Sequence, residues 1–144
     1  LPLFLHQRDA HQDFFPLLNK YRSNIVGGVV HCFTADKRAL DAYLDIEMHI
    51  GITGWICDER RGKGLQEIVR RIPENRILLE TDSPYLLPRS FRPKPKSRRN
   101  EPKFLPEVAR LVSEHSAKKL KEIARITTRN AINLFNLPID NMNP

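Results

Sequence analysis

The stretch Ile77-Leu78-Leu79-Glu80-Thr81-Asp82-Ser83-Pro84-Tyr85 decides how the rest of the chain is read. It opens as a short apolar run and stops abruptly at two carboxylates and a proline. A run of Ile and Leu bounded this way suits a parallel strand covered on both faces. Side chains at the carboxyl end of such a strand sit where α/β sheets and barrels place their chemistry. Two earlier runs end in the same manner, Leu3-Phe4-Leu5-His6 and Val29-Val30-His31-Cys32-Phe33. Three strand ends offering His, His and Asp predict a metal site shared among strands.

Working outward, the segments between these runs carry a helical period. Phe14, Leu17, Leu18 and Tyr21 fall at i, i+3, i+4 and i+7, and Ser23-Asn24 breaks the pattern. Ile25 to Val30 leads to His31. Thr34-Ala35-Asp36 then supplies capping residues for a helix with Ala39, Leu40, Tyr43 and Leu44. His49-Ile50-Gly51-Ile52-Thr53-Gly54 reads as a third strand, its glycines marking close backbone approach. Leu65, Ile68, Val69 and Ile72 define the helix before Ile77. Strand and helix therefore alternate with a repeat of about 25 residues, the size of one βα unit.

After Asp82 the pattern changes. Ser83 to Arg99 is proline-rich and basic with no apolar period, the signature of a long functional or disordered loop. Asn100-Glu101-Pro102 predicts a helix start, with Asn100 as its cap. Leu105, Val108, Ala109, Leu111 and Val112 form one apolar face. A last helix is expected from about Ala117 to Phe135, with a frayed tail over 138–144. Four βα units imply a parallel sheet, yet a closed parallel barrel takes roughly twice that number. The expectation is α/β: one domain over 1–137, either half of a barrel or an open sheet with two uncovered edges that invite self-association.

Bulk properties narrow the function. The 144 residues carry a formal charge of +7 and a pI near 9.7, a balance that favours polyanionic partners. Arg89, Arg92, Lys94, Lys96, Arg98 and Arg99 crowd one segment, and Arg60, Arg61 and Lys63 form a second cluster. Arginine forks pair bidentately with phosphate, and the basic segment directly follows the candidate metal residue Asp82. Trp55, Tyr85 and Phe91 are aromatic neighbours able to stack on bases, although Trp55 equally suits a core position. No apolar run is long enough for a membrane span and no leader opens the chain, so a cytoplasmic protein is expected. Cys32 and Cys57 read as two buried reduced thiols.

His6, His31 and Asp82 lie in the same relative position of three units, and imidazole with carboxylate suits Zn, Mn, Fe or Mg. Glu80 lies two residues before Asp82 and so points the same way on a regular strand. Either carboxylate suits a general base on an activated water, and Glu80 equally suits an ion pair with an arginine. His11, His49 and His115 are expected to be surface residues.

Several stretches also resemble one known family. Leu5-His6-Gln7-Arg8-Asp9-Ala10, Val30-His31-Cys32-Phe33 and Ile50-Gly51-Ile52-Thr53-Gly54-Trp55 are similar to the TatD family of metal-dependent deoxyribonucleases. So are Glu80-Thr81-Asp82-Ser83-Pro84-Tyr85-Leu86, Arg98-Arg99-Asn100-Glu101-Pro102 and Thr128-Arg129-Asn130-Ala131, in family order. The resemblance implies the C-terminal half of a (β/α)₈ TIM barrel: four parallel strands alternating with helices, plus C-terminal helices. It implies a 3′→5′ exodeoxyribonuclease acting on DNA, single strands favoured, with a divalent metal: Mg²⁺ first, Zn²⁺ or Mn²⁺ otherwise. On the family pattern His6, His31 and Asp82 hold metal, and Asp82 and Glu80 serve catalysis. Arg8, Arg61, Arg98, Arg99 and Trp55 would contact substrate. The family's His-x-His strand and bridging Glu have no counterpart in this sequence. Two rival expectations follow from that departure: a non-catalytic basic nucleic-acid-binding chain, or a hydrolase of another ester or amide.

Overall fold

Each apolar run becomes a strand and each 3.6-period segment a helix, except that the period through Ile72 ends its α-helix at Ile68 and passes into a 3-10 turn over Val69–Arg71. The structure is a computed structural model and describes residues 1–138. Most of the tail expected to fray lies outside the described residues. The strands are β1 (Leu3–His6), β2 (Gly28–His31), β3 (His49–Ile52) and β4 (Ile77–Leu79). They form one sheet in the order β1-β2-β3-β4, and every pair is parallel. Helices α1 (His11–Lys20), α2 (Lys37–Asp45) and α3 (Lys63–Ile68) make the crossovers, and α4 (Leu105–Ser116) and α5 (Leu120–Phe135) follow the basic segment. Among the described residues no helix is long and apolar enough to cross a membrane.

Register fixes what each face of the sheet carries. His6 lies opposite His31, Val30 opposite Ile50, and Ile52 opposite Leu79. Because side chains alternate along a strand, Val30, Ile50, Ile52 and Ile77 share the face that packs on the helices. There they join Leu40, Tyr43, Leu65, Val112, Ile123 and Ile126 in one core. The opposite face receives Phe4, His6, Val29, His31, His49, Gly51, Leu78 and Glu80. In a closed barrel this second face is the interior.

Local chemistry sets the element ends. The Asp36 side chain accepts the Ala39 N–H at 2.9 Å and starts α2, a cap worth about 1 kcal/mol. Ala117, at φ 56°, turns into the left-handed region and ends α4. The last helix therefore starts at Leu120, not near Ala117; no glycine or asparagine at this position marks the stop. Asn100 is not the expected helix cap either. It is buried, its Nδ2 donates to Thr81 O at 2.8 Å, and its N–H donates to Pro84 O.

The two edges differ. β4 lies under α5, where Asn130 donates to Glu74 O and Ile77 O at 2.7 and 2.8 Å. β1 leaves Leu3 and Phe4 in solvent, and Phe4 is 60% exposed. In α1, Leu18 is buried whereas Leu17 and Tyr21, expected on its apolar face, are exposed. Two histidines expected at the surface are not free there. His11 meets the Tyr43 hydroxyl at 3.1 Å, and His49 is buried.

Candidate active site

Three strand ends and the turns that follow them supply the side chains at the carboxyl rim. His31 closes β2, and its Nδ1 lies 2.8 Å from Glu80 Oε2 while its Nε2 lies 3.2 Å from Asp82 Oδ1. Carboxylate oxygens at both ring nitrogens favour the protonated imidazole. The Glu80 bond accordingly raises the His31 pKa above its ordinary value against the opposing effect of burial, with Asp82 adding to the rise. Glu80 also accepts the Cys32 N–H at 3.0 Å. Its other oxygen, Oε1, is buried without a hydrogen-bond partner. The His6 ring stands beside this group, 5.7 Å centre to centre from His31, and the exposed Phe4 ring lies 4.8 Å from His31 on the same face.

The backbone accommodates these groups at some cost. Cys32, directly after β2, and Asp82, three residues beyond β4, sit at φ 48° and 58°. Non-glycine residues reach that region rarely, and such strain clusters at functional sites. Gly51 leaves the room that Glu80 needs: a Cβ there would come within 2.3 Å of Glu80 Oε1. Unpartnered buried polar atoms gather here too. Gln7 Oε1 and Ser83 Oγ join Glu80 Oε1 next to the strand ends. Both thiols are free; burial raises the Cys32 pKa and pushes Cys57 up to about 12.

The donor set suits a divalent cation in kind, with imidazole, carboxylate and an orphaned carboxylate oxygen facing one another. In number it is partial. Among the described residues no three His, Cys, Asp or Glu side chains are disposed to hold an ion as they stand. Both nitrogens of His31 are engaged with carboxylates, and ligation requires one of them to be released.

The basic residues divide into two groups. Arg61 and Arg8 place their guanidinium carbons 4.5 and 5.5 Å from the Trp55 ring centre. Trp55 also packs against the core and donates from Nε1 to Arg61 O, so it is both core residue and rim platform. Arg89 and Arg92 are held internally by Asp58 at 3.3 Å and Glu59 at 2.8 Å, and Arg61 shares the Asp58 carboxylate at 2.9 Å. Lys94, Lys96, Arg98 and Arg99 have no carboxylate partner among the described residues, and all four are exposed. Ser90 donates to Glu107, and Phe91 packs on Phe104 at 5.0 Å, so the segment is anchored on α4 rather than loose.

Sequence reasoning missed three parts of this arrangement. Glu80 pairs with His31 and not with an arginine, because the parallel register brings β4 past β3 to reach the end of β2. The Cys32 N–H is a backbone donor that no side-chain pattern announces. Asp58 carried a signal that went unread: Asp followed within four residues by Gly suits a turn in which the carboxylate accepts its own loop's N–H groups.

Residues 1–136 match the family model for TatD-related DNases. This chain belongs to the TatD family. It is 51% identical over 136 residues to a protein of Edwardsiella piscicida named 3′-5′ ssDNA/RNA exonuclease TatD. That alignment covers 94% of this chain and 52% of the relative. A Yersinia pseudotuberculosis protein of the same name is 50% identical over 137 residues, covering 95% and 53%. The chain thus spans about half the length of the curated relatives it matches. The crystal structure of YjjV, a TatD homologue from Escherichia coli K12, superposes with a TM-score of 0.84 at 28% identity. It shares 96% of this chain and 51% of its own length. A TatD-family hydrolase from Entamoeba histolytica gives 0.78 at 26% identity, over 93% and 50%. The four-stranded sheet is therefore half of a TatD barrel, and membership in the family supports a dependence on a divalent metal.

Proposed function

We propose that this chain contributes the C-terminal half of a metal-dependent 3′→5′ exonuclease for single-stranded DNA. The observation that carries the reading is His31 set between Glu80 and Asp82, beside His6, at the carboxyl end of the sheet. His6, His31 and Asp82 would hold the cation, Mg²⁺ first. When bound, a divalent ion supplies Lewis-acid stabilisation of a phosphoryl oxygen. Asp82, the more exposed of the two carboxylates at 31% against 11% for Glu80, accepts the proton of the attacking water. Glu80 orients His31 through Nδ1 and keeps one oxygen free. Arg98, Arg99 and Arg8 bind backbone phosphates, and Trp55 stacks on a base.

The incomplete ligand set favours a second reading, a chain that binds nucleic acid without cleaving it. Incubating the 144-residue chain with a labelled single-stranded DNA, in Mg²⁺ and in EDTA, separates the two. Shortening from the 3′ end that EDTA abolishes supports the exonuclease. Salt-dependent retention without shortening supports the binder. Absence of both rejects each.

A further inference from the structure

Asp58 is a buried carboxylate that the reaction does not use. It follows the Gly54–Cys57 turn after β3, and its side chain is 3% exposed. Oδ1 accepts the backbone N–H groups of Arg60 and Arg61, both at 3.0 Å. Oδ2 accepts Arg61 Nε at 2.9 Å and an Arg89 guanidinium N–H at 3.3 Å. One carboxylate thus closes its own turn with one oxygen and joins two loops with the other. Burial alone would raise its pKa; the Arg61 and Arg60 N–H bonds and the Arg61 guanidinium hold it well below the usual carboxylate range.

The joined pieces are the cation-bearing ones. Arg61 is held over Trp55, while Arg89 anchors the start of the segment that carries Lys94, Lys96, Arg98 and Arg99. The turn itself is tight. Gly62 N–H donates to Asp58 O, and a Cβ at Gly62 would come within 2.5 Å of Trp55 O.

We infer that Asp58 is a positioning residue, which pins the β3–α3 loop to the basic segment so that their cations form one phosphate-contacting ridge. The inference rests on the nucleic-acid reading above and deepens it. It has an unusual sign. Removing a negative charge beside a polyanion site ordinarily tightens binding. A clamp predicts the reverse, because two unpinned loops must be ordered by the ligand itself.

The test is Asp58→Asn with Glu59→Gln as charge-matched control. Asparagine keeps an oxygen for the two backbone N–H groups and loses the acceptor for both guanidinium groups. Affinity for a single-stranded oligothymidylate is read across salt, and amide hydrogen exchange is read over residues 83–99. Asp58→Asn should bind about five-fold or more weakly, despite its added net positive charge, and should exchange faster in that segment than wild type. Glu59→Gln breaks the Glu59–Arg92 pair, which joins the same two loops but only through exposed, solvent-screened side chains, and should bind as wild type or tighter. Unchanged exchange with equal or tighter binding in Asp58→Asn overturns the clamp. A wild-type chain that fails to bind the oligonucleotide rejects the nucleic-acid reading instead, and the exchange arm then decides the clamp alone. Should Asp58→Asn not fold, Arg89→Met severs the same inter-loop bond and must show the same local exchange.

Discussion

At the carboxyl end of the sheet His31 is held between two carboxylates, while at the amino end of the neighbouring strand His49 is buried with Nδ1 unpartnered. The first has its pKa raised by Glu80. The second is lowered by burial and then by Arg76, with a hydrogen bond to the Gly28 backbone acting the other way. The same side chain, on adjacent strands, is tuned in opposite directions. The difference extends to whole rims. The carboxyl rim gathers left-handed backbone at Cys32 and Asp82 and three orphaned polar atoms. The amino rim closes its backbone with Asn130, which satisfies two carbonyls at once. One end holds groups ready for a ligand; the other holds the fold.

The largest effect is expected where the carboxyl rim is itself tightly packed. At Gly54 a Cβ would stand 2.1 Å from the Leu86 carbonyl oxygen, which is backbone and cannot step aside. Gly54→Ala should therefore cost about 3 kcal/mol, read as a drop in the urea midpoint. A midpoint within error of wild type would mean that the two loops do not meet as described, and the rim would lose its claim to rigidity. Next comes Asp82→Asn, which keeps the shape and removes the group proposed to accept the water's proton. Cleavage of single-stranded DNA in Mg²⁺ should fall about a hundredfold while the urea midpoint stays near wild type. Unchanged turnover would remove Asp82 from the reaction and leave the rim a binding surface.

Much of this division was legible from residue order, for reasons that particular positions show. Four apolar runs separated by helical periods lead to four parallel strands, because each run is too short for a helix and each interval long enough for a crossover. His6, His31 and Asp82 could be singled out because each closes such a run. What stayed hidden depends on pairings between distant segments. His49 looked like a surface residue at a strand start, but the sheet register sets it opposite Val29 and buries it. Arg89 and Arg92 counted toward a phosphate-gripping run, yet Asp58 and Glu59, some thirty residues earlier, hold them internally. The Ala117 break carries no glycine to announce it.

On the amino rim the contrast predicts stability without function. Asn130→Ala strips the buried Ile77 carbonyl and the part-buried Glu74 carbonyl of their donor and should lower stability by about 2 kcal/mol. Oligonucleotide affinity, read well below the transition, should not move. A fall in affinity matching that of Asp58→Asn would show that the two rims are coupled and that the separation drawn here fails.

The smallest expected effect is on pH dependence, and its sign follows from His49. Its folded pKa lies below the ordinary 6.5, so between the two values the unfolded chain binds the extra proton. Stability from this site is therefore present above 6.5 and is lost as pH falls through the window beneath it. His31 contributes the opposite slope, which makes the wild-type curve alone uninformative. The useful quantity is the difference between wild type and His49→Gln, with urea midpoints measured on both sides of 6.5. Wild type should lose more stability on acidification than the variant does, because glutamine takes up no proton. Identical slopes would mean that His49 is as free to protonate as a solvated imidazole, and the contrast between the two histidines would then lie in their partners and not in their burial.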